Sequence, residues 1–383
     1  MGDRKRLRYG MVGGGIGAFI GAVHRRAIAL EETADLVAGC FSSRKEKNQE
    51  TGDFYGIAAD RLYASYEEMA RAESTREDGI DFVSIVTPNA THYEVAKAFL
   101  EAGIHVACEK PLCFTVEQGE ELERIAKEKH LMFAVTYTYT GYAMVKLARE
   151  LVAAGEIGNI VNINAEYLQD WLIDEIGGGN QTTTKMSVWR TDPAKSGISN
   201  CVGDIGTHIE DTVAYITGQH PKKVAAVLDN YGMDLDLNAN ILVEYENGVH
   251  GVYSCSQVCA GHLNGLVIRI FGSEGSLEWV QEEPDYLKVT KKGQPDQIYH
   301  RGTGYITGMA AERNHIPSGH PEGLTFAFAN IYHGFMADVL ECVNGHVPEK
   351  AGDYPSVSDG VSGVRFIHAV VNSGKNGSGW TEV

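Results

Sequence analysis

The chain has 383 residues, more than one hydrophobic core usually serves, so two domains are expected. Hydrophobic residues make up 43% and charged residues 22%, the composition of a folded globular protein and not of a disordered one. Lys and Arg total 33 against 51 Asp and Glu; the resulting charge of −18 repels phosphate backbones and argues against nucleic acid as a partner.

No apolar run approaches membrane-spanning length, so no membrane partner is expected. The opening MGDRKRLRYGMVGG passes from a basic stub into a strand without a signal-peptide region, which points to the cytoplasm. Residues 7–12 (LRYGMV) read as that first strand, followed by a glycine-rich turn and a helix through about Leu30. LVAGCF at 36–41 reads as a second strand and leads into a charged helical stretch. IDFVSIVT at 80–87 is a continuous apolar run, the signature of a strand buried on both faces of a parallel sheet. A helix around 92–102, the strand IHVAC, a helix at about 115–129 and the strand LMFAVTY at 131–137 complete the series. Repeated strand-helix-strand units predict a doubly wound parallel sheet, placed in a first domain over residues 1–140.

From about residue 141 the pattern changes. Segments 160–168, 222–231, 239–246, 249–258, 266–272 and 276–280 read as strands, and Asn247-Gly248 and the run Gly272–Gly275 read as hairpin turns. A helix is expected at about 204–217, an irregular loop over 300–324, and closing helices at 325–344 and 356–373. The second domain, 141–383, is thus expected to be α+β with an open, mainly antiparallel sheet, its final helix packing back toward the first domain. Cysteines stand at 40, 108, 113, 201, 255, 259 and 342 with no Cys-x-x-Cys pair, so reduced, mostly buried thiols and no metal site are expected.

Three constellations carry chemistry. Gly13-x-Gly15-x-x-Ala18, with Ile16 and Gly17 inside it, follows the first strand and opens the first helix. Glycine lets backbone approach a pyrophosphate closely, and a helix N-terminus offers free N–H groups, so a dinucleotide is expected here. Asp35 stands at the wrong end of the second strand to bind a ribose. Its carboxyl end carries Ser42, Ser43 and Arg44, which suit a 2′-phosphate unless Arg44 simply starts a solvated helix; NAD and NADP both stay open. Second, Glu109-Lys110-Pro111 follows IHVAC, at a strand's carboxyl end where α/β sheets bind ligands, and the lysine can hydrogen-bond a substrate oxygen. Third, Asp204 and His208 are four apart and share one face of a helix; an imidazole near its ordinary pKa suits removal of a hydroxyl proton.

Together with Thr87-Pro88-Asn89, His92 and the closing helix, these motifs resemble the Gfo/Idh/MocA-type oxidoreductases over nearly the whole chain. The resemblance implies a Rossmann domain that binds NAD or NADP, catalysis by Lys110, Asp204 and His208, and a homodimer or homotetramer formed through the open sheet. It also implies that Thr87, Pro88, Asn89, His92 and Glu109 belong to the cofactor site.

Gln169-Asp170-Trp171, Trp189-Arg190-Thr191-Asp192-Pro193 and His320-Pro321-Glu322-Gly323 are similar to the sugar-ring branch, which includes levoglucosan dehydrogenase, glycoside 3-oxidases and inositol dehydrogenases. Gln169, Trp171, Trp189 and Arg190 are then substrate contacts for a sugar or cyclitol, with aromatic faces to stack on C–H surfaces. Many relatives carry an Arg after the fifth strand; here the chain reads Tyr137 to Tyr142 (YTYTGY), favouring a neutral ring. Tyr139 and Tyr142 are read either as substrate contacts or as packing. An enzyme that retains and recycles its NAD, and a non-catalytic sugar sensor, are the alternatives to a dehydrogenase.

Overall fold

A computed structural model describes residues 5–176 and 190–383. The chain divides into two compact units, residues 1–141 with 324–361, and 142–323 with 362–383.

The first unit is built on five parallel strands in the order β2-β1-β3-β4-β5. These are β1 (Leu7–Gly13), β2 (Ala34–Cys40), β3 (Phe82–Val86), β4 (His105–Cys108) and β5 (Phe133–Val135). Every residue of the apolar run in β3 is buried, as a strand near the middle of such a sheet requires. The strands are joined by α1 (Phe19–Leu30), α2 (Lys45–Tyr55), α3 (Tyr66–Glu73), α4 (His92–Glu101) and α5 (Val116–Glu128). Helix α5 starts at a reciprocal capping box between Thr115 and Gln118. Register aligns the strand ends: Gly13 pairs with Val86, and Ile85 with Cys108. The residues just beyond these pairs, Thr87 and Glu109, therefore emerge side by side.

In the second unit, α6 (Ala143–Ala153) and α7 (Thr207–Thr217) accompany a nine-stranded sheet. Its strands are β6 (Ile160–Leu168), β7 (Pro221–Asp229), β8 (Asn238–Tyr245), β9 (His250–Ser256), β10 (Gly265–Gly272), β11 (Gly275–Val280), β12 (Tyr286–Lys291), β13 (Gln297–His300) and β14 (Thr381–Glu382). The order is β13-β12-β11-β10-β6-β9-β8-β7-β14. Pairing is antiparallel except between β6 and β9, which run parallel. Alternating burial along β8 leaves one face of the sheet to solvent. The Asn247-Gly248 turn forms as expected, with Gly248 at φ 81°.

The outcome departs from the sequence reading in three respects. Strands β12, β13 and β14 were not expected. The stretch read as an irregular loop contains a short helix, Gly308–Glu312, and is organised around Arg301. The buried Arg301 guanidinium donates to Asp285 Oδ1 (2.8 Å), Glu322 Oε1 (2.8 Å) and the Ile316 carbonyl (2.9 Å). Finally, helix α8 (Leu324–Val343), assigned from sequence to the domain spanning 141–383, belongs to the first unit. It lays Phe328, Tyr332, Phe335 and Met336 into the core formed by Leu7, Tyr9, Val23 and Phe82. The last helix, α9 (Val357–Lys375), contributes residues to Val361 to the first unit and later residues to the second, where Phe366 lies 6.0 Å from the Tyr253 ring.

Among the described residues, no helix is long and apolar enough to cross a membrane. All seven cysteines are free thiols.

Candidate active site

The edge of the first sheet is shaped for a flat, phosphate-bearing ligand. Gly13 and Gly17 adopt φ of 84° and 81°, which side chains rarely tolerate. At Gly15 space decides: a Cβ would lie 3.1 Å from the Phe41 carbonyl oxygen. Ile16 N–H donates to Thr51 Oγ1 at 3.2 Å, fixing the turn. Gly21 brings α1 against the turn, since a Cβ there would stand 2.4 Å from Gly14 Cα. The N-cap of α1 is Ala18, whose side chain accepts nothing, so the first-turn N–H groups meet no side-chain cap. Beside Gly13, the Thr87 hydroxyl is buried without a hydrogen-bond partner. An open helix terminus, a glycine cradle and an orphaned hydroxyl on one edge fit a dinucleotide.

At the end of β2, Asn48 Oδ1 accepts from Phe41 N (2.7 Å) and Ser42 N (3.3 Å), and Ser42 Oγ accepts from Arg44 N (3.2 Å). Ser43 and the N-cap residue Arg44 are exposed there. Asp35, at the opposite end of β2, is held by Arg6 at 3.0 Å, and that hydrogen bond lowers its pKa.

Pro88 and Asn89 continue from Thr87 into a short 3-10 turn at the same edge. His92 lies beneath this edge. Its ring nitrogens sit 2.8 Å from the Pro111 carbonyl and 2.9 Å from the Thr87 carbonyl, so it ties the two loops together. Burial lowers its pKa against the opposing pull of those carbonyls.

Glu109 is likewise committed inward. His24 Nε2 lies 2.8 Å from its Oε1, and Thr136 Oγ1 donates to that oxygen at 2.6 Å. His24 Nδ1 meets the Tyr332 hydroxyl at 2.7 Å, which meets Ser84 Oγ at 2.9 Å. Burial pushes the Glu109 carboxyl up, but His24, Lys110 and Thr136 outweigh it and hold it below the ordinary carboxylate range. Lys110 follows at the strand end, joined to Pro111 by a cis peptide. None of His24, Ser84, Thr136 or Tyr332 was singled out from sequence; only contact in space relates them.

In the second unit, Asp204 and His208 lie in consecutive stretches of one helical segment, but not in one α-helix. Val202–Gly206 is a π-helical turn, in which Thr207 N–H donates to the Val202 carbonyl, and α7 starts only at Thr207. Such single wide turns recur at functional sites. Asp204 is nearly buried: Gln257 Nε2 donates to its Oδ2 at 2.9 Å, and the Arg190 guanidinium pairs with its Oδ1. Arg190, expected as a substrate contact, thus neutralises the candidate catalytic carboxylate. His208, also buried, has its ring centre 6.2 Å from that of Tyr167.

Past β6, Trp171 Nε1 donates to Gln169 Oε1 (2.9 Å), and Gln169 Nε2 donates to Asn264 Oδ1 (2.8 Å). Asn264 Oδ1 also accepts from the Tyr167 hydroxyl at 2.6 Å, so these side chains form one partly exposed polar and aromatic group next to His208. Asp170 accepts from Gly261 N at 3.0 Å, and Asp192 caps a short helical turn through Ala194 N. Tyr142 is buried with its ring centre 5.4 Å from that of Trp279, and Tyr139 is buried too. His320 is exposed and gives its carbonyl to Arg301. Trp189 lies outside the described residues.

Comparison with known proteins agrees with this edge-and-sheet architecture. Residues 7–137 match the model of the oxidoreductase family with an NAD-binding Rossmann fold, and residues 145–278 match that of the GFO/IDH/MocA C-terminal domain. The chain is 37% identical to the uncharacterized oxidoreductase YfiI of Bacillus subtilis over 99% of its length and 97% of that protein. It is 28% identical to levoglucosan dehydrogenase of Pseudarthrobacter phenanthrenivorans, covering 78% of this chain and 79% of the relative. Among solved structures, it superimposes with a TM-score of 0.90 and 34% identity on an inositol dehydrogenase homolog from Azotobacter vinelandii complexed with NADH and myo-inositol, over 100% and 99% of the two chains. This chain belongs to the GFO/IDH/MocA family of oxidoreductases, and its parallel-sheet unit is the family's NAD-binding Rossmann fold.

Proposed function

We propose that this oxidoreductase is an NAD(P)-dependent dehydrogenase that converts one ring hydroxyl of a sugar, glycoside or cyclitol to a ketone, or the reverse. The observation that carries the reading is the Asp204–His208 pair. A carboxylate held by Arg190 and Gln257 stands one turn before an imidazole, beside a polar and aromatic group from the end of β6. Bound nicotinamide supplies the hydride acceptor. His208 removes the hydroxyl proton, while Asp204 and Lys110 polarise and orient that hydroxyl. The levoglucosan and inositol enzymes among its relatives support a polyhydroxylated ring. The buried segment Thr136–Tyr142 carries no charged side chain, which supports a neutral one.

The test is absorbance at the reduced-nicotinamide band with purified protein, NAD or NADP, and a panel of sugars and cyclitols that includes levoglucosan and myo-inositol. Growth of the band with one ring alcohol is expected, and it also decides the cofactor's phosphate. A flat trace with altered sugar products would replace the dehydrogenase by an enzyme that recycles its cofactor. A flat trace with every sugar unchanged, across both cofactors and both directions, would overturn the proposal.

A further inference from the structure

Asp204 is the end of a buried polar chain that begins 32 residues later in the sequence and passes through two amides. Asp236 is the anchor. Its carboxylate accepts from Ser199 Oγ (3.0 Å), Asn200 N (3.0 Å) and Val202 N (2.9 Å), three donors from the segment leading into the π-helical turn. Burial raises the Asp236 pKa, and these donors oppose that rise. Asn200 Nδ2 donates to the Asp236 carbonyl at 3.2 Å and to Gln257 Oε1 at 2.6 Å. Gln257 Nε2 then donates to Asp204 Oδ2 at 2.9 Å. Gln257 is fully buried, and its backbone is fixed on both sides: its N–H donates to the Leu237 carbonyl (2.9 Å), and its carbonyl accepts from Leu172 N (3.0 Å).

The direction of these bonds matters. Asn200 donates to the Gln257 oxygen, so the Gln257 amide can present only its NH₂ to Asp204. An amide that is locked as donor stabilises an ionised carboxylate and fixes the plane in which its second oxygen lies.

We propose that Gln257, oriented by Asn200 and Asp236, is a positioning residue for the reaction: it holds Asp204 ionised and aimed through a one-way amide chain. This inference rests on the catalytic role proposed for Asp204. The Arg190 guanidinium pairs with the same carboxylate, His208 stands in the next turn, and the buried Cys201 thiol feels its charge. Gln257 supplies a hydrogen bond to Oδ2, while Arg190 pairs with Oδ1.

The test compares Gln257→Glu, Gln257→Met and Asp204→Asn with the parent protein, using myo-inositol or the panel member that reduces the cofactor fastest. Gln257→Glu keeps the shape but sets a carboxyl against Asp204, so the two share a proton. The acid limb of the kcat/KM pH profile is expected to move up by about one unit or more. Gln257→Met keeps the volume and removes the donor; kcat is expected to fall about tenfold or more, with NADH affinity by fluorescence titration unchanged. A readout free of turnover accompanies these. Two facing buried carboxyls raise each other's pKa, so the Gln257→Glu protein loses melting temperature relative to the parent as pH rises from about 5 to 8. Asp204→Asn separates the two readings. If it keeps parental turnover, the role of Asp204 fails. If it is inactive while Gln257→Glu leaves the pH profile in place and Gln257→Met keeps parental kcat, the positioning inference alone fails. Should Gln257→Glu not fold, the kcat of Gln257→Met decides.

Discussion

Lys110 and Asp204 are supported in opposite ways. Lys110 stands at the end of a parallel strand, where backbone pairing of β3 with β4 sets its place. Its neighbour Glu109 is bolted down by residues from separate parts of the first unit: His24 of α1 and Thr136 beyond β5, with Tyr332 of α8 and Ser84 of β3 behind His24. Asp204 stands in an irregular helical turn, and its carboxylate is held by side chains, among them the Arg190 guanidinium and the Gln257 amide. Lys110 is thus placed by backbone register, and the Asp204 carboxylate by side-chain hydrogen bonds. Substitution at Lys110 therefore removes chemistry with little structural cost. Substitution behind Glu109 is expected to cost mainly stability, and substitution behind Asp204 to act first on the chemistry.

The largest expected effect tests the first part of that contrast. Lys110→Ala is expected to lower kcat/KM by about three orders of magnitude, within the range for loss of a proton-transfer or polarising group. Dinucleotide affinity by fluorescence titration and the melting temperature stay near parental values, because the glycine turn and the Glu109 network are intact. A large fall in melting temperature would mean that Lys110 is part of the scaffold, and the contrast would collapse.

How much of this was readable in the sequence follows the same division. The parallel strands were legible because each is an apolar run bounded by turn residues, and in such a sheet the candidate site residues lie at or just beyond the ends of those runs, as Gly13, Thr87 and Lys110 do. Asn247-Gly248 was legible because a two-residue hairpin needs that φ. Helix α8 was visible as a helix but placed with the wrong sheet: periodicity shows that one face is apolar and not which sheet it covers. Strands β12 and β13, whose stretch YLKVTKKGQPDQIYH is rich in lysine and broken by proline, lack the apolar content of a core strand. The π-turn was hidden because spacing cannot count one extra residue in a turn. Gln257 and His24 were hidden because a buried polar network leaves no periodic trace; only the fold brings its members together.

A middle-sized effect probes the network behind Glu109. His24→Leu keeps an apolar filler but removes one hydrogen-bond partner of a buried carboxylate, leaving Thr136 and Lys110, a change expected to cost about 1–3 kcal/mol. The sign with pH is fixed by the direction of the shift. Glu109 is held below its ordinary value, so its contribution is complete above the ordinary carboxylate range and is lost as pH falls through the lower folded value. In the variant, burial acts unopposed by His24 and the carboxyl takes up a proton more readily. The stability gap in urea unfolding is therefore expected to be widest at pH 7 and narrower at pH 5. A gap that is the same at both values would show that His24 acts by packing alone.

The smallest effect concerns the far end of the cofactor edge, where neither backbone register nor a buried network constrains the side chain. Arg44 is exposed at the N-cap of α2, and Asp35, the one acidic residue of β2, is paired to Arg6 at the strand's opposite end. The stretch Phe41–Arg44 just beyond β2 thus carries no acidic residue, while the Arg44 cation stands next to the Ser42 turn. Arg44→Ala is expected to raise KM for NADP about tenfold, the worth of one exposed charge-assisted contact to phosphate, and to leave KM for NAD unchanged. Added salt should narrow the difference, since the contact is exposed and screened. Equal changes for both cofactors would place Arg44 with the helix and not with the phosphate, and would move the choice between NAD and NADP to Ser42, whose N–H the Asn48 side chain holds, and its neighbour Ser43.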